Sequence, residues 1–273
     1  MRGGMRRKLR RMDWHQALLE SELRRALAER QFVLFYQPVF DHAGRITGVE
    51  ALLRWRHPRK GLVGPAEFIA QSEQSNLIVE IGQWVLGEAC RQLAAWRRND
   101  ATRSLTVAVN ISARHAREPD FVDRVVGVLK AAGADPALLK LELTESMLLG
   151  NVDDMIGKMR ALKVCGIGFA LDDFGTGYSS LSYLERLPIT QLKVDRSFVR
   201  NMLLTPNAAT IVRAVIALGR ELGLEVIAEG VENEDQQRAL SAWGCQRFQG
   251  FLYSPPVAAS ELDRWLASAP LNP

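Results

Sequence analysis

The residues of this 273-residue chain that could do chemistry gather at the ends of short apolar runs. Asn110 closes Val107 to Val109, Glu142 and Glu145 flank Leu143-Thr144, Asp172-Asp173 follows Phe169 to Leu171, Lys193 and Asp195 flank Val194, and Glu229 follows Ile227-Ala228. Glu50 joins them from an earlier β-rich run, where a two-residue period sets Glu50 and Arg54 on one side and Val49, Ala51 and Leu53 on the other. Together, Glu50, Asn110, Glu142, Asp172, Asp173 and Glu229 would crowd five carboxylates and one amide, which mutual repulsion forbids without cations. Oxygen donors without histidine favour Mg²⁺ or Mn²⁺ over zinc. The adjacent Asp172 and Asp173, released by Phe174-Gly175-Thr176-Gly177, suit two ions sharing a carboxylate. Two ions about 3.5–4 Å apart are the usual apparatus for in-line displacement at phosphorus.

Taken singly, these residues support less. A strand-end Asp or Glu is more often a helix N-cap or a surface ion-pair partner, Lys193 could be a snorkelling surface lysine, and Asp195 could simply start the next helix. Gly175-Thr176-Gly177 lacks the spacing and the lysine of a P-loop. Asp173-Phe174-Gly175 has no accompanying glycine-rich or catalytic loop of kinase type. The four histidines are scattered and read as structural or solvent-facing. Cys90, Cys165 and Cys245 lack metal-ligand spacing and read as core residues.

The elements that must position these groups follow from hydrophobic period. Leu18, Leu19, Leu23, Ala26 and Leu27 recur at helical spacing, predicting a leading helix over 14–30. Phe32 to Val39 and Gly48 to Trp55 are β-rich and joined by Asp41-His42-Ala43-Gly44-Arg45, which predicts a hairpin and an antiparallel start. A long helix covers Leu77 to Trp96. Strand-length runs then recur near Leu105–Val109, Leu139–Leu143, Gly168–Leu171, Gln191–Val194, Glu225–Ala228 and Gln246–Phe248, separated mostly by helical patterns. About eight strands alternating with helices, and no linker composition between them, predict one barrel whose strand ends share a single mouth.

Composition excludes several classes. At 47% hydrophobic and 24% charged the chain is that of an ordinary globular protein. The net charge of +4 is uneven: without Arg2, Arg6, Arg7, Lys8, Arg10 and Arg11 it becomes −2, so residues 1–13 read as a basic tail or linker remnant and 14–273 as the folded unit. A polymeric nucleic acid is therefore not an expected partner. No apolar run reaches the roughly 18 residues of a membrane span. A cytoplasmic domain is expected, either free or as the cytoplasmic part of a membrane-anchored protein.

In order, Gln37-Pro38-Val39, Glu50-Ala51-Leu52-Leu53-Arg54-Trp55, Val109-Asn110-Ile111-Ser112, Glu142-Leu143-Thr144-Glu145, Asp172-Asp173-Phe174-Gly175-Thr176-Gly177-Tyr178, Lys193-Val194-Asp195, Ala228-Glu229-Gly230-Val231-Glu232 and Gln249-Gly250 resemble the motif series of the EAL domain family. The resemblance implies an α/β fold, a modified TIM (β/α)₈ barrel with one antiparallel strand near the N-terminus, and hydrolysis of cyclic di-GMP to linear pGpG. It implies that Glu50, Asn110, Glu142 and Asp172 hold one metal, and that Asp172 and Asp173, with Glu229 nearby, hold the second. Lys193 would orient the attacking water or steady negative charge, and Glu229 would act as general base or anchor Lys193. Lys193, Glu229 and a hydroxide between the metals remain alternatives for the base.

By the same resemblance Gln37 and Arg54 face substrate, the arginine fork suiting a phosphate oxygen, and Gln249 lies near the nucleophile or the metals. Glu145 would hold the loop after Asp173 through Thr176 or nearby backbone, with Glu232 in support. The resemblance further implies a homodimer through Asp173 to Ser180 and the following helix, and in a longer protein an upstream sensory or GGDEF-type domain. Because Glu50, Asn110, Glu142, Glu145, Asp172, Asp173, Lys193 and Glu229 are all present, hydrolysis is expected ahead of a catalytically silent cyclic di-GMP receptor. Pro255, where many relatives carry a charge, and the basic link from Trp55 to Phe68 depart from the pattern without touching a metal ligand.

Overall fold

The computed structural model describes residues 17–148, 151–175 and 181–268. Its sheet contains β1 (Phe32–Asp41), β2 (Ile46–His57), β3 (Gly61–Val63), β4 (Thr106–Asn110), β5 (Leu139–Thr144), β6 (Gly168–Phe174), β7 (Gln191–Val194), β8 (Glu225–Ala228) and β9 (Arg247–Phe248). The order is β1-β9-β8-β7-β6-β5-β4-β2-β3, and β1 also pairs with β2, so eight strands close a ring and β3 is appended to β2. β1 is antiparallel to both of its neighbours, whereas the other ring pairs are parallel. This is a (β/α)₈-type barrel with one reversed strand near its N-terminus. Among the described residues no helix is long and apolar enough to cross a membrane.

Strand period assigns the two faces. On β1, Phe32, Leu34 and Tyr36 are buried on the helix side: Phe32 lies 5.8 Å from Phe68 and 5.9 Å from Trp84 ring to ring, and Tyr36 meets Trp96 edge-on at 4.9 Å. On β2, Val49, Ala51, Leu53 and Trp55 fill the same layer. The buried Val, Leu and Phe side chains among them each stabilise by about 1.5–3 kcal/mol. The alternate residues, among them Gln37 and Glu50, face the barrel axis. Most barrels fill that interior with branched apolar layers. Here a cavity of about 230 Å³ lies inside the ring, lined by Thr106, Lys140, Gln191, Glu225 and Arg247 and reaching Glu142.

Side-chain caps fix where the strand ends stop. Ser112 accepts the His115 N–H, Asp195 accepts the Ser197 N–H, and Asn233 with Gln236 forms a capping box. Each cap falls two to four residues beyond a chemically endowed strand end. The hairpin is fixed at its far end: Asp41 accepts the N–H groups of Ala43 and Arg45, each at 2.9 Å, and Gly44 takes φ 74° in the turn.

The structure departs from the sequence pattern in three places. β3 was not anticipated, because only three residues pair and only Val63 is buried. β6 runs to Phe174, carrying both aspartates within the strand, with the pairing to β7 shifted between Leu171 and Phe174. Cys165 is exposed, unlike the buried Cys90 and Cys245, because it caps the C-terminus of the helix Val152–Val164. The leading helix is described from residue 17 to residue 28.

His115 is a core residue with consequences for stability. It is fully buried, its ring nitrogens have no hydrogen-bond partner among the described residues, and it meets Phe121 edge-on at 5.2 Å. A Cβ on Gly82 would lie 2.5 Å from its Nδ1, so the helix Leu77–Trp96 passes directly against it. Burial, reinforced by Arg124 and opposed by Asp120, lowers its pKa to about 4. The unfolded chain takes up this proton near 6.5. The folded protein therefore loses stability as pH falls from there through about 4. His115→Leu is expected to remove up to about 1.4 kcal/mol per pH unit of that slope. Urea unfolding at pH 7, 6 and 5 checks this, and an unchanged slope assigns the acid lability elsewhere.

Candidate active site

The C-terminal strand ends form a mouth around one buried lysine. Lys193 rises from β7 on the inward face and is 1% exposed, which rules out a snorkelling surface role. Its Nζ lies 2.5 Å from Glu229, 2.7 Å from Glu142, 3.4 Å from Glu50 and 3.5 Å from Asp172. Register explains the convergence: Asn110 is level with Glu142, Glu142 with Ala170, and Lys193 with Ile227. Asp172 and Glu229 stand two residues beyond Ala170 and Ile227, so inward-facing positions at successive steps toward the mouth carry the polar groups.

Hydrogen bonds order the cage. Glu50 accepts Asn110 Nδ2 at 2.6 Å on Oε1 and Gln249 Nε2 at 2.6 Å on Oε2. Gln249 Nε2 also reaches Gln37 Oε1 at 3.1 Å, and Gln37 Nε2 donates to the Ser254 carbonyl at 3.1 Å. The buried Gln249 Oε1 has no hydrogen-bond partner among the described residues. Gln37 is thus a link in a relay toward Glu50.

The charge balance is uneven. Burial alone would push the Lys193 pKa down, but Glu142, Glu229, Glu50 and Asp172 outweigh it and hold the ammonium well above its usual range. Burial drives Glu142 well above the carboxylate range despite Lys193, and Glu229 up to about 8. Glu50 is held below its ordinary value against burial by Lys193 and by hydrogen bonds from Gln249 and Asn110. Asp173 is raised to about 6 by burial and then by the neighbouring Asp172 and Asp195. One ammonium cannot neutralise this set.

Asp172, Asp173 and Glu229 each offer an oxygen, all within 4.8 Å of one another. That oxygen-only donor set and its excess negative charge fit a hard divalent cation. Glu50, Asn110 and Glu142 stand beside this cluster but turn toward each other and toward Lys193. Asn110, with Nδ2 on Glu50, leaves Oδ1 as the atom it can offer. Asp173 has φ 55°, an uncommon left-handed conformation for a non-glycine, and its N–H bonds Asp172 Oδ1 at 2.9 Å. The two adjacent carboxylates consequently reach the same mouth from one strand.

The remaining predicted residues divide. Glu145 is buried and accepts the Gly175 N–H at 3.1 Å, so it touches the loop through that backbone. Thr176 lies outside the described residues. Glu232 is not at the site: its side chain is exposed and it contributes a backbone N–H to Gln236 at 2.7 Å. Arg54 is half-buried, donates from Nη1 to the Leu53 carbonyl at 2.8 Å, and sits over the Phe35 ring with 5.9 Å from Cζ to centroid. Sequence reading passed over Phe35, although its place two residues before Gln37 puts it on the same face. It gave Asp195 no part at the site beyond the start of a helix, yet the carboxylate that caps the helix also acts on Asp173.

A barrel with an acidic, lysine-centred mouth defines the class, and the comparisons define the family. The EAL domain model matches residues 20–256, and the chain belongs to the EAL domain family. It is 45% identical over 248 residues to the bifunctional diguanylate cyclase/cyclic di-GMP phosphodiesterase MucR of Pseudomonas aeruginosa, covering 90% of this chain and 36% of that protein. It is 43% identical over 239 residues to the cyclic di-GMP phosphodiesterase PA2567 of the same organism, covering 87% and 40%. The solved structure of the PaMucR phosphodiesterase in complex with c-di-GMP superposes with a TM-score of 0.87 at 45% identity, covering 90% of this chain and 99% of that one. The chain thus spans less than half the length of these two curated relatives.

Lys193→Met leaves four carboxylates around an apolar tip. In chelator the variant is expected to lose on the order of 3–5 kcal/mol of stability, the cost of breaking a buried ion pair. Saturating Mn²⁺ should restore most of it by mass action. Thermal melts with EDTA and with Mn²⁺ provide the check: no loss in EDTA would mean that Lys193 does not act as the cage's counter-ion, and an equal loss in both that Mn²⁺ does not replace its charge.

Proposed function

We propose that this domain hydrolyses cyclic di-GMP to linear pGpG with two divalent ions, Mg²⁺ or Mn²⁺. The observation that carries the reading is the Asp172–Asp173–Glu229 cluster beside the Lys193 cage, on a barrel of the EAL family. Asp172, Asp173 and Glu229 would hold the ions, with Glu50, Asn110 and Glu142 completing the set after Lys193 yields part of its contacts. Bound divalent ions supply charge neutralisation at the phosphate and acidify water.

The chain's own residues account for the rest. Water oxygen attacks phosphorus, the bond to the 3′ oxygen breaks, and the proton lost by water ends on that oxygen, leaving a 5′-phosphate. Lys193 places a fixed positive charge beside the phosphate oxygens, where charge builds in the transition state. Glu229, in contact with Lys193, is placed to take the proton of the attacking water. Arg54 offers a planar fork to a non-reacting phosphate oxygen. Gln37 and Gln249 hold Glu50 in place, and Gln249 Oε1 remains available to a donor from water or substrate. Glu145 secures the backbone immediately after the aspartates.

The same reading includes a homodimer through the segment beside Asp173 to Ser180 and the following helix. Residues 176–180 lie outside those described, and Tyr183 just beyond them is an exposed aromatic that such a contact would cover. A sensory or GGDEF-type domain upstream would supply regulation in a longer protein.

Purified domain with Mg²⁺ or Mn²⁺ is expected to release pGpG, and EDTA to stop it. Glu50→Ala or Lys193→Ala should lower turnover by about 10²-fold or more. Binding of cyclic di-GMP without product in either metal would instead identify a receptor. Ca²⁺ is expected to occupy the site with little turnover, because its larger radius and looser coordination misalign water and phosphorus. Product formation in Ca²⁺ equal to that in Mg²⁺, followed by chromatography, would overturn that expectation.

A further inference from the structure

β1 and β2 carry a second feature at the mouth. Gln37 pairs with Glu50 and Phe35 with Leu52, so Phe35 stands one inward-facing step nearer the mouth than Gln37. Arg54, two residues beyond Leu52, is its diagonal neighbour, a distance that long side chains span. The guanidinium lies over the Phe35 ring at 5.9 Å, and among the described residues its one hydrogen bond, at 2.8 Å, goes to the carbonyl of Leu53 on its own strand. Among the described residues no carboxylate forms an ion pair with Arg54; burial pulls its pKa down, and Glu50, the nearest opposing charge, offsets this only in part. Of five N–H donors, most remain uncommitted. An arginine partly removed from water without a paired anion is costly unless something else holds it. The negative face of an aromatic ring does so without consuming a single donor.

We infer that Phe35 is a positioning residue for substrate, its ring fixing the Arg54 guanidinium so that the free edge of the fork meets a phosphate oxygen of the cyclic dinucleotide. This rests on the phosphodiesterase reading above. Phe35 itself is only partly buried and faces the axis, away from the aromatic layer of Phe32 and Tyr36, so its presence is not explained by helix packing.

The test is a double-mutant cycle on cyclic di-GMP binding to the whole domain in Ca²⁺, read by calorimetry. Phe35→Leu is expected to weaken binding about tenfold, in line with a partly desolvated cation–π contact. Phe35→Tyr, which keeps the ring, should stay within about twofold. Arg54→Ala should weaken binding further, and the Phe35→Leu/Arg54→Ala double variant no more than Arg54→Ala alone, since coupled residues are non-additive. In Mg²⁺, Phe35→Leu should raise KM and leave kcat. Additive losses, or wild-type affinity in Phe35→Leu, would overturn the inference while leaving the phosphodiesterase reading intact. Failure of the unmodified domain to bind cyclic di-GMP would instead sink that reading, and the inference with it.

Discussion

A buried ammonium surrounded by four carboxylates is the constraint around which this barrel is organised. Lys193 contacts residues from β2, β5, β6 and the end of β8, so its single charge ties together strands that are distant in sequence. The arrangement is stable only in part. Burial opposes every charge in it, and the carboxylates outnumber the cation, which is why Glu142 and Glu229 are driven upward while Glu50, supplied with amide donors, is not. A site with such a deficit of positive charge is prepared for more of it.

The rest of the fold allows this by moving hydrophobic stabilisation outward. The apolar layer lies between ring and helices, where Phe32, Trp55, Phe68 and Trp84 cluster, rather than on the axis. The axis is then free for two tiers of polar side chains: the acidic set at the mouth, and below it Lys140, Gln191, Glu225 and Arg247 around a cavity. The lower tier is satisfied by its own pairs, with Arg247 Nε 2.6 Å from Glu225. The upper tier is not.

Much of this was legible in the sequence, for a definable reason. Each polar strand end lies in an apolar run, and strand period assigns faces without knowledge of partners, so the inward set could be named. What period cannot supply is relative height and backbone conformation. The left-handed φ of Asp173 and the shifted β6–β7 register depend on tertiary pairing, and neither leaves a mark in residue type. Likewise, Lys193 in isolation was compatible with solvent, and only ring closure shows it enclosed. Glu232 was carried by its place in a motif, but the chain turns at Gly230, where φ is 64°, and its side chain ends outside. Phe35 was overlooked because an aromatic in a strand is ordinarily part of a core.

The hairpin turn at Asp41–Arg45 lies on the floor of the barrel, about 13 Å along the strand from Gln37 and hence from the chemistry. Yet β1 and β2 are the two strands whose pairing is set by that turn, and a slip of one residue in either would turn its faces over, sending Gln37 outward and Tyr36 to the axis on β1, or Glu50 outward and Ala51 to the axis on β2. The carboxylate that grips Ala43 and Arg45 therefore works as an alignment pin. A remote loop with no reactive group decides which way Glu50 points.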